Sequence, residues 1–170
     1  SFDRTHTFRN LSIAMLLLTT LAAAAILGKP DAGSVEAGGP AALVTVHGFK
    51  DRAGNLRIAI YPANDEDFLA PARYVQRIDV PVSPGGEMTV CAPVPSAGRH
   101  VVVALHDRDR SGRLNPLSDG VGFSRNPKLG LSKPRLGSVE VPIRDVTPLR
   151  IELNYLRGLR VAPVPARQSR

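Results

Sequence analysis

Beyond residue 41, apolar and polar side chains alternate with a period of two, and helical spacing is nearly absent. Such alternation is typical of a β-strand that has one buried face and one solvated face. Leu56, Ile58 and Ile60, for example, alternate with more polar neighbours such as Arg57, so we expect the three apolar side chains to face a core. The pattern predicts about seven strands, at residues 43–47, 56–61, 74–82, 87–94, 99–106, 137–143 and 149–155.

Closely spaced strands with almost no helix predict an all-β fold. The expected architecture is an antiparallel two-sheet sandwich of immunoglobulin-like or transthyretin-like kind with one long ordered loop, and a small barrel is the alternative. In the fifth strand, Val101, Val103 and Leu105 are predicted to look inward. Residues 62–72 break the alternation, and Asn64 or Asp65 is placed to cap a single helical turn.

The ends of the chain differ in composition from this middle part. A basic start precedes residues 11–27, which are seventeen residues without a charge. This predicts that residues 1–28 are a signal peptide, or an N-terminal membrane anchor if they are not cleaved. Residues 29–40 have the Gly and Pro content of a linker, 41–160 form the predicted β-sandwich domain, and 161–170 are predicted to be a flexible basic tail. We therefore expect an exported protein, periplasmic or secreted, or anchored in the inner membrane if the segment is retained.

The net charge of +7 indicates an anionic partner. Nucleic acid is disfavoured, because only 5% of the residues are aromatic and none is Trp, so few side chains are available for base stacking. An anionic cell-envelope component or another exported protein is the expected partner, with membrane contact only through the N-terminal segment if it is uncleaved. Cys91 is the single cysteine, so it cannot form an intramolecular disulfide, and its place in an alternating segment is typical of a small apolar filler.

Residues 107–136, here called the long loop, separate the fifth and sixth predicted strands. Structureless loops of more than about 15 residues are uncommon in compact domains unless they are functional or disordered. We expect this one to be ordered, because Val121, Phe123, Leu129 and Leu131 can pack it onto the sandwich.

The start of the long loop has the spacing of a calcium loop. Oxygen-bearing side chains at alternate positions are followed by Gly112, which permits the sharp bend that such loops make around the ion. Counted from Asp107 as position one, position twelve is Ser118 rather than the usual bidentate Glu, although Asn115 or Asp119 can still supply an oxygen. The candidate metal ligands are Asp107, Asp109, Ser111, Asn115 and Asp119, with calcium as the possible cofactor.

The same residues also allow interpretations other than a calcium site. Arg108, Arg110 and Arg113 alternate with the acids and would repel a cation. The alternative to calcium is an Asx-type turn, in which Asp107 and Asp109 accept backbone N–H bonds. No catalytic residue is assigned, because no nucleophile stands beside a base and no oxyanion-hole signature is present.

These residues resemble those of a known family. His106-Asp107, the turn at residues 109–112, the Gly-Phe-Ser-Arg-Asn-Pro stretch at 122–127 and Lys133-Pro134 look like the hallmark of the exported bacterial domain of unknown function 2141. The likeness extends over residues 43–48, 56–61, 67–68 and 154–155. Family members often carry an Asn-Gly turn followed by an acid, where this chain has Ser111-Gly112 and Asn115, and this difference weakens a metal interpretation. The resemblance implies a small exported β-sandwich with no assigned activity.

The sequence thus predicts an exported binding or structural module of unknown biochemical activity, with residues 106–127 as its functional face. One alternative is a metal-dependent hydrolase-type enzyme centred on this loop and using His106 and Asp107. The other is a basic module that binds an anionic cell-envelope polymer, whose binding would weaken steeply with salt.

Overall fold

The computed structural model describes residues 38–165, and within them the chain forms ten strands and one short 3-10 turn at Leu136–Ser138. The strands are β1 Ala41–His47, β2 Asn55–Pro62, β3 Gln76–Pro81, β4 Met88–Pro93, β5 Gly98–Asp107, β6 Gly120–Phe123, β7 Glu140–Ile143, β8 Val146–Glu152, β9 Asn154–Arg157 and β10 Arg160–Pro163. No helix in this part of the chain has the length and apolar character needed to cross a membrane.

The strands form two sheets, which confirms the predicted all-β sandwich. The three-stranded sheet has the order β4-β1-β8, and the seven-stranded sheet has the order β10-β9-β6-β5-β2-β3. Strand β7 pairs with residues 98–101 of β5, ahead of residues 103–106, which pair with β6. The prediction of a fully antiparallel arrangement was wrong at one place, because β1 and β8 are parallel, with Val44 opposite Leu149. Six other strands separate β1 from β8 along the chain, so no hairpin joins the two strands and imposes antiparallel pairing.

The structure has more strands than the seven that the alternation predicted. The segment predicted at residues 149–155 falls in two strands, because the chain leaves the three-stranded sheet after Glu152 and joins the other sheet at Asn154. Strand β6 lies within the long loop, and β10 lies in the predicted tail, where Val161 pairs with Leu156. Residues 160–163 are therefore part of the sheet rather than a flexible end. The predicted signal segment, most of the predicted linker and residues 166–170 lie outside the described residues.

The main core lies between the two sheets. Its members are buried apolar side chains from both layers, and among them Val44 and Val46 of β1, Ile58 and Ile60 of β2, and Leu153 are fully buried. Burying a side chain of this size stabilises the fold by about 1.5–3 kcal/mol relative to leaving it exposed. This core fixes the positions of β1, β2 and β5, and the long loop begins at the end of β5.

A second, smaller core lies on the outer face of the seven-stranded sheet, which is the face turned away from the other sheet. It contains Val101, Val103, Phe68, Phe123 and Val139. The prediction that Val101, Val103 and Leu105 face the inter-sheet core was therefore wrong. Val102 and Ala104 occupy that core instead, and every residue from 100 to 107 is buried because the long loop and the Phe68 turn cover the outer face of β5.

The Phe68 turn, residues 64–69, has the capped form that the sequence predicted. The Asn64 Oδ1 atom accepts the N–H of Asp67 at 2.8 Å, and the Asn64 carbonyl accepts the N–H of Phe68 at 3.1 Å. A side-chain oxygen that accepts the N–H three residues later is the usual N-cap of a helical turn. This turn places the Phe68 ring, 1% exposed, against the ring of Phe123.

Candidate functional site

The long loop begins with a tight turn that is organised by Asp107, the last residue of β5. The two carboxylate oxygens of Asp107 accept the N–H groups of Ser111 at 3.0 Å and Gly112 at 2.8 Å. Gly112 has φ of +76°, a left-handed conformation that glycine adopts without strain. Buried Asp107 thus folds the first six residues of the loop back onto the end of the strand.

The structure brings three of the five predicted metal-ligating residues, the aspartates, close together. One carboxylate oxygen each from Asp107, Asp109 and Asp119 lie within 4.8 Å of one another. Ser111 donates its N–H to Asp109 Oδ1 at 3.0 Å, and Asn115 donates its N–H to Asp119 Oδ2 at 2.8 Å. Hydrogen bonds from Ser111 lower the pKa of Asp109, so this exposed carboxylate is held in its charged form.

These hydrogen bonds also have the pattern of the Asx-type turn, which was the alternative to a metal site. Asp119 accepts a second and a third bond, from the N–H of Arg108 at 3.1 Å and from the hydroxyl of Ser118 at 2.9 Å. Each carboxylate oxygen has two acceptor directions, so backbone bonds do not by themselves exhaust them. The hydrogen bonds of the turn therefore form without an ion, and they hold oxygens of three carboxylate groups close together.

The arginines beside this cluster were expected to oppose a cation, but Arg108 points away from it. Its guanidinium group pairs with Asp51 in the loop between β1 and β2 and also donates to the carbonyl of Ser118 at 3.1 Å. The hydrogen bond from Arg108 lowers the pKa of Asp51. Arg108 is thus neutralised by a partner in another loop.

His106, the basis of the hydrolase alternative, is enclosed in the protein. Its side chain is fully buried, and both ring nitrogens have partners, the Tyr155 hydroxyl at 2.7 Å from Nδ1 and the Ala53 carbonyl at 2.8 Å from Nε2. The carbonyl can only accept, so Nε2 carries the proton and Nδ1 accepts the hydroxyl proton of Tyr155. Burial lowers the pKa of His106 and raises the pKa of Tyr155 to about 12, so both groups are neutral near pH 7. This arrangement ties β5 to β9 and leaves no ring atom for a substrate.

The stretch at residues 122–127 also has a structural role. Ser124 bridges β5 and the turn before β7, because its hydroxyl accepts the N–H of Val102 at 3.1 Å and donates to the carbonyl of Val139. Asn126 reaches the other sheet, where its amide group binds two main-chain atoms of β8, the Arg150 carbonyl at 2.9 Å and the Glu152 N–H at 2.8 Å. These bonds fasten the long loop to both layers of the sandwich.

Between the long loop and the outer face of the seven-stranded sheet lies an apolar groove of about 480 Å³, partly open to solvent. This is within the range of pockets that take small molecules. Its floor comes from neighbouring strands and includes Ala59, Val103, Val121 and Phe123. Its walls come from the loops and include Leu69, Leu114, Leu129 and Leu131.

The sequence had not predicted this groove. Leu131 was expected to pack onto the sandwich, but it is 73% exposed and lies on the rim of the groove. Leu114, also on the wall, is 49% exposed. Several leucines in an otherwise polar loop are the signal from which an apolar surface could have been inferred.

The lining of the groove includes the cationic side chains of Lys133 and Arg57. Lys133 donates from Nζ to the carbonyl of Phe68 at 2.7 Å and lies 4.5 Å from the centre of the Phe68 ring. Arg57 donates to the carbonyl of Gly112 at 2.7 Å, and its side chain is only 12% exposed. The groove therefore combines an apolar interior with fixed positive charge.

A family model described as "Uncharacterized protein conserved in bacteria (DUF2141)" matches residues 44–149, which include both acidic and apolar features of the long loop. No curated protein and no solved structure matches the chain.

Proposed function

This chain belongs to the bacterial DUF2141 family, and from that premise we propose that it is an exported binding module whose long loop and outer sheet face form a site for a small apolar or amphipathic molecule. The basic start and the uncharged stretch at residues 11–27 support export. The observation that carries the binding proposal is the groove, because a soluble domain gains stability by covering apolar surface, yet here leucines remain exposed around a concave site.

An uncharged fluorescent probe, N-phenyl-1-naphthylamine, tests the proposal without a known ligand. We expect saturable binding at one site per chain, seen as a rise in emission. Val121→Trp fills the floor of the groove and should abolish binding, whereas the matched control Val146→Trp, at a 56% exposed position on β8, should leave it unchanged.

Circular dichroism of both variants shows whether each remains folded. If Val121→Trp does not fold, Leu131→Arg on the exposed rim provides the second test. Absence of saturable binding, or equal binding by the groove variant and the control, would contradict the proposed function.

Calcium binding by the loop turn is a second candidate, because the structure gathers the acidic side chains that the spacing predicted. We expect a dissociation constant near the millimolar range of extracellular calcium modules. In calorimetric titration, Asp109→Asn should weaken binding, and Asp65→Asn, an exposed acid outside the cluster, should not. No heat and no rise in melting temperature at several millimolar calcium would exclude this candidate.

A further inference from the structure

The ammonium group of Lys133 is held at the groove by two contacts with one residue, a hydrogen bond to the Phe68 carbonyl and the approach to the Phe68 ring. An ammonium has three N–H donors, and the carbonyl takes one of them. Within residues 38–165, no carboxylate lies within ion-pair distance of Nζ. Lys133 therefore offers a positive charge and unused donors beside an apolar surface.

The other charged groups of the groove add to this positive field. The other cations of the lining are Arg57 and Arg113. Arg57 shares the carboxylate of Asp79 with Arg77, which lies outside the lining, so this group of three side chains keeps one net positive charge. The one acidic side chain in the lining is Asp119, and its oxygens already accept hydrogen bonds from Arg108, Asn115 and Ser118. The groove is thus complementary to a negative rather than a positive group.

The charge and the apolar surface are close together. The ammonium group of Lys133 lies over the ring of Phe68. This ring packs edge-to-face on Phe123, with 6.2 Å between ring centres. Phe123 lies on β6 opposite Val103 of β5, and both line the groove. A ligand that places a negative group on Lys133 therefore has its adjoining atoms on the apolar floor.

We propose that the groove binds a single-chain amphiphile with an anionic head, which pairs with Lys133 while the apolar chain lies along Val103, Val121 and Phe123. This inference rests on the proposed function, since it names the ligand class of the same groove. A carboxylate or a phosphate head satisfies the same chemistry.

Displacement of N-phenyl-1-naphthylamine from the purified protein by four ten-carbon amphiphiles below their micellar concentrations tests the inference. The competitors are decanoate, decyl phosphate, decanol and decyltrimethylammonium. We expect each anion to bind about tenfold or more tightly than the cation, because a charge-assisted hydrogen bond contributes this much in a partly desolvated site. Tighter binding of decanoate or of decyl phosphate identifies which head the site prefers.

The variant Lys133→Met keeps a long apolar side chain and removes the charge. It should reduce the ratio of anion to cation affinity to within about threefold, with decanol binding unchanged. Lys128→Met, an exposed lysine of the same loop outside the groove lining, is the matched control and should keep the full ratio.

The outcomes separate this inference from the proposed function. If the naphthylamine itself shows no saturable binding, the proposed function fails and the ligand class fails with it. If the naphthylamine and decanol bind but the head groups are not discriminated, or Lys133→Met keeps the preference for anions, the groove stands and the anionic ligand class is overturned.

Discussion

The hydroxyl group of Tyr155 joins three parts of the fold, and its removal is the most informative single perturbation of the scaffold under the long loop. It accepts the N–H of Lys50 at 3.0 Å and donates to Nδ1 of His106 at 2.7 Å. The residue is 2% exposed, so water has little access to its position. Tyr155→Phe keeps the ring and its packing and removes only these two hydrogen bonds.

The expected cost follows from the two groups that lose their partner. An unsatisfied buried donor or acceptor costs about 1–3 kcal/mol. His106 Nδ1 is buried and takes the full cost, whereas the bond to Lys50 is only partly buried and water can replace part of it. We therefore expect a loss of about 2–3 kcal/mol in the free energy of unfolding, which is a large share of the 5–15 kcal/mol of a typical domain.

Urea unfolding followed by far-ultraviolet circular dichroism measures this loss. With a denaturant slope of about 2 kcal/mol per molar, the midpoint should fall by about 1–1.5 M without a change in slope. Tyr74→Phe, at a 37% exposed tyrosine, is the control and should change stability by less than about 0.5 kcal/mol. If Tyr155→Phe were no more destabilising than the control, the account of the His106 network would be refuted.

Three further predictions concern the scaffold. Gly122→Ala should cost about 1–3 kcal/mol, because its Cβ would overlap the main-chain carbonyl oxygen of Glu152 and would lie 2.6 Å from Ile151 Cγ2, whereas Gly137→Ala meets nothing within 4 Å and should be close to neutral in the same urea assay. Burial lowers the pKa of both His100 and His106 below 6.5, so the unfolded chain binds more protons in acid than the folded protein does. The stability that the two neutral histidines contribute above pH 6.5 should therefore be lost as the pH falls through their lowered pKa values. A melting temperature that stays constant from pH 7 to 5 would contradict this. Asn126→Ala removes two main-chain hydrogen bonds to β8 and should lower the unfolding free energy by about 1–2 kcal/mol, with a near-zero change arguing against its role as a tie between the sheets.

The strands that line the inter-sheet core were predictable, because the alternation of apolar and polar residues indicates a strand with one buried face and one solvated face. Ile58 and Ile60 face the core as expected. Strand β6 was missed because its two glycines have the composition of a turn, yet they are required there by close neighbours, Tyr155 beside Gly120 and Ile151 beside Gly122. Such a requirement arises from segments distant in sequence, and alternation does not reveal it.

The inward face of β5 was assigned wrongly for a related reason. Because the long loop covers the outer face, Val101 and Val103 are buried, as are Val102 and Ala104, and the polar positions that normally mark the solvated face are lost. Alternation alone does not state which of two buried faces meets the second sheet.

The acidic cluster and the groove differ in how far their parts are separated along the chain. Asp107, Asp109 and Asp119 are close in sequence, so their spacing predicted the turn that gathers them. The groove draws on strands and loops from Arg57 to Val161, and its shape depends on where the long loop settles. That information resides in tertiary packing rather than in any local motif.

The central claim is that the long loop and the outer sheet face form one ligand site, and amide chemical shifts of the ¹⁵N-labelled protein during titration with N-phenyl-1-naphthylamine test it most directly. We expect saturable shifts concentrated in β5, β6 and residues 112–134, with β1, β4 and β8 of the opposite sheet unaffected. Unchanged spectra, or shifts centred on the opposite sheet, would contradict the claim.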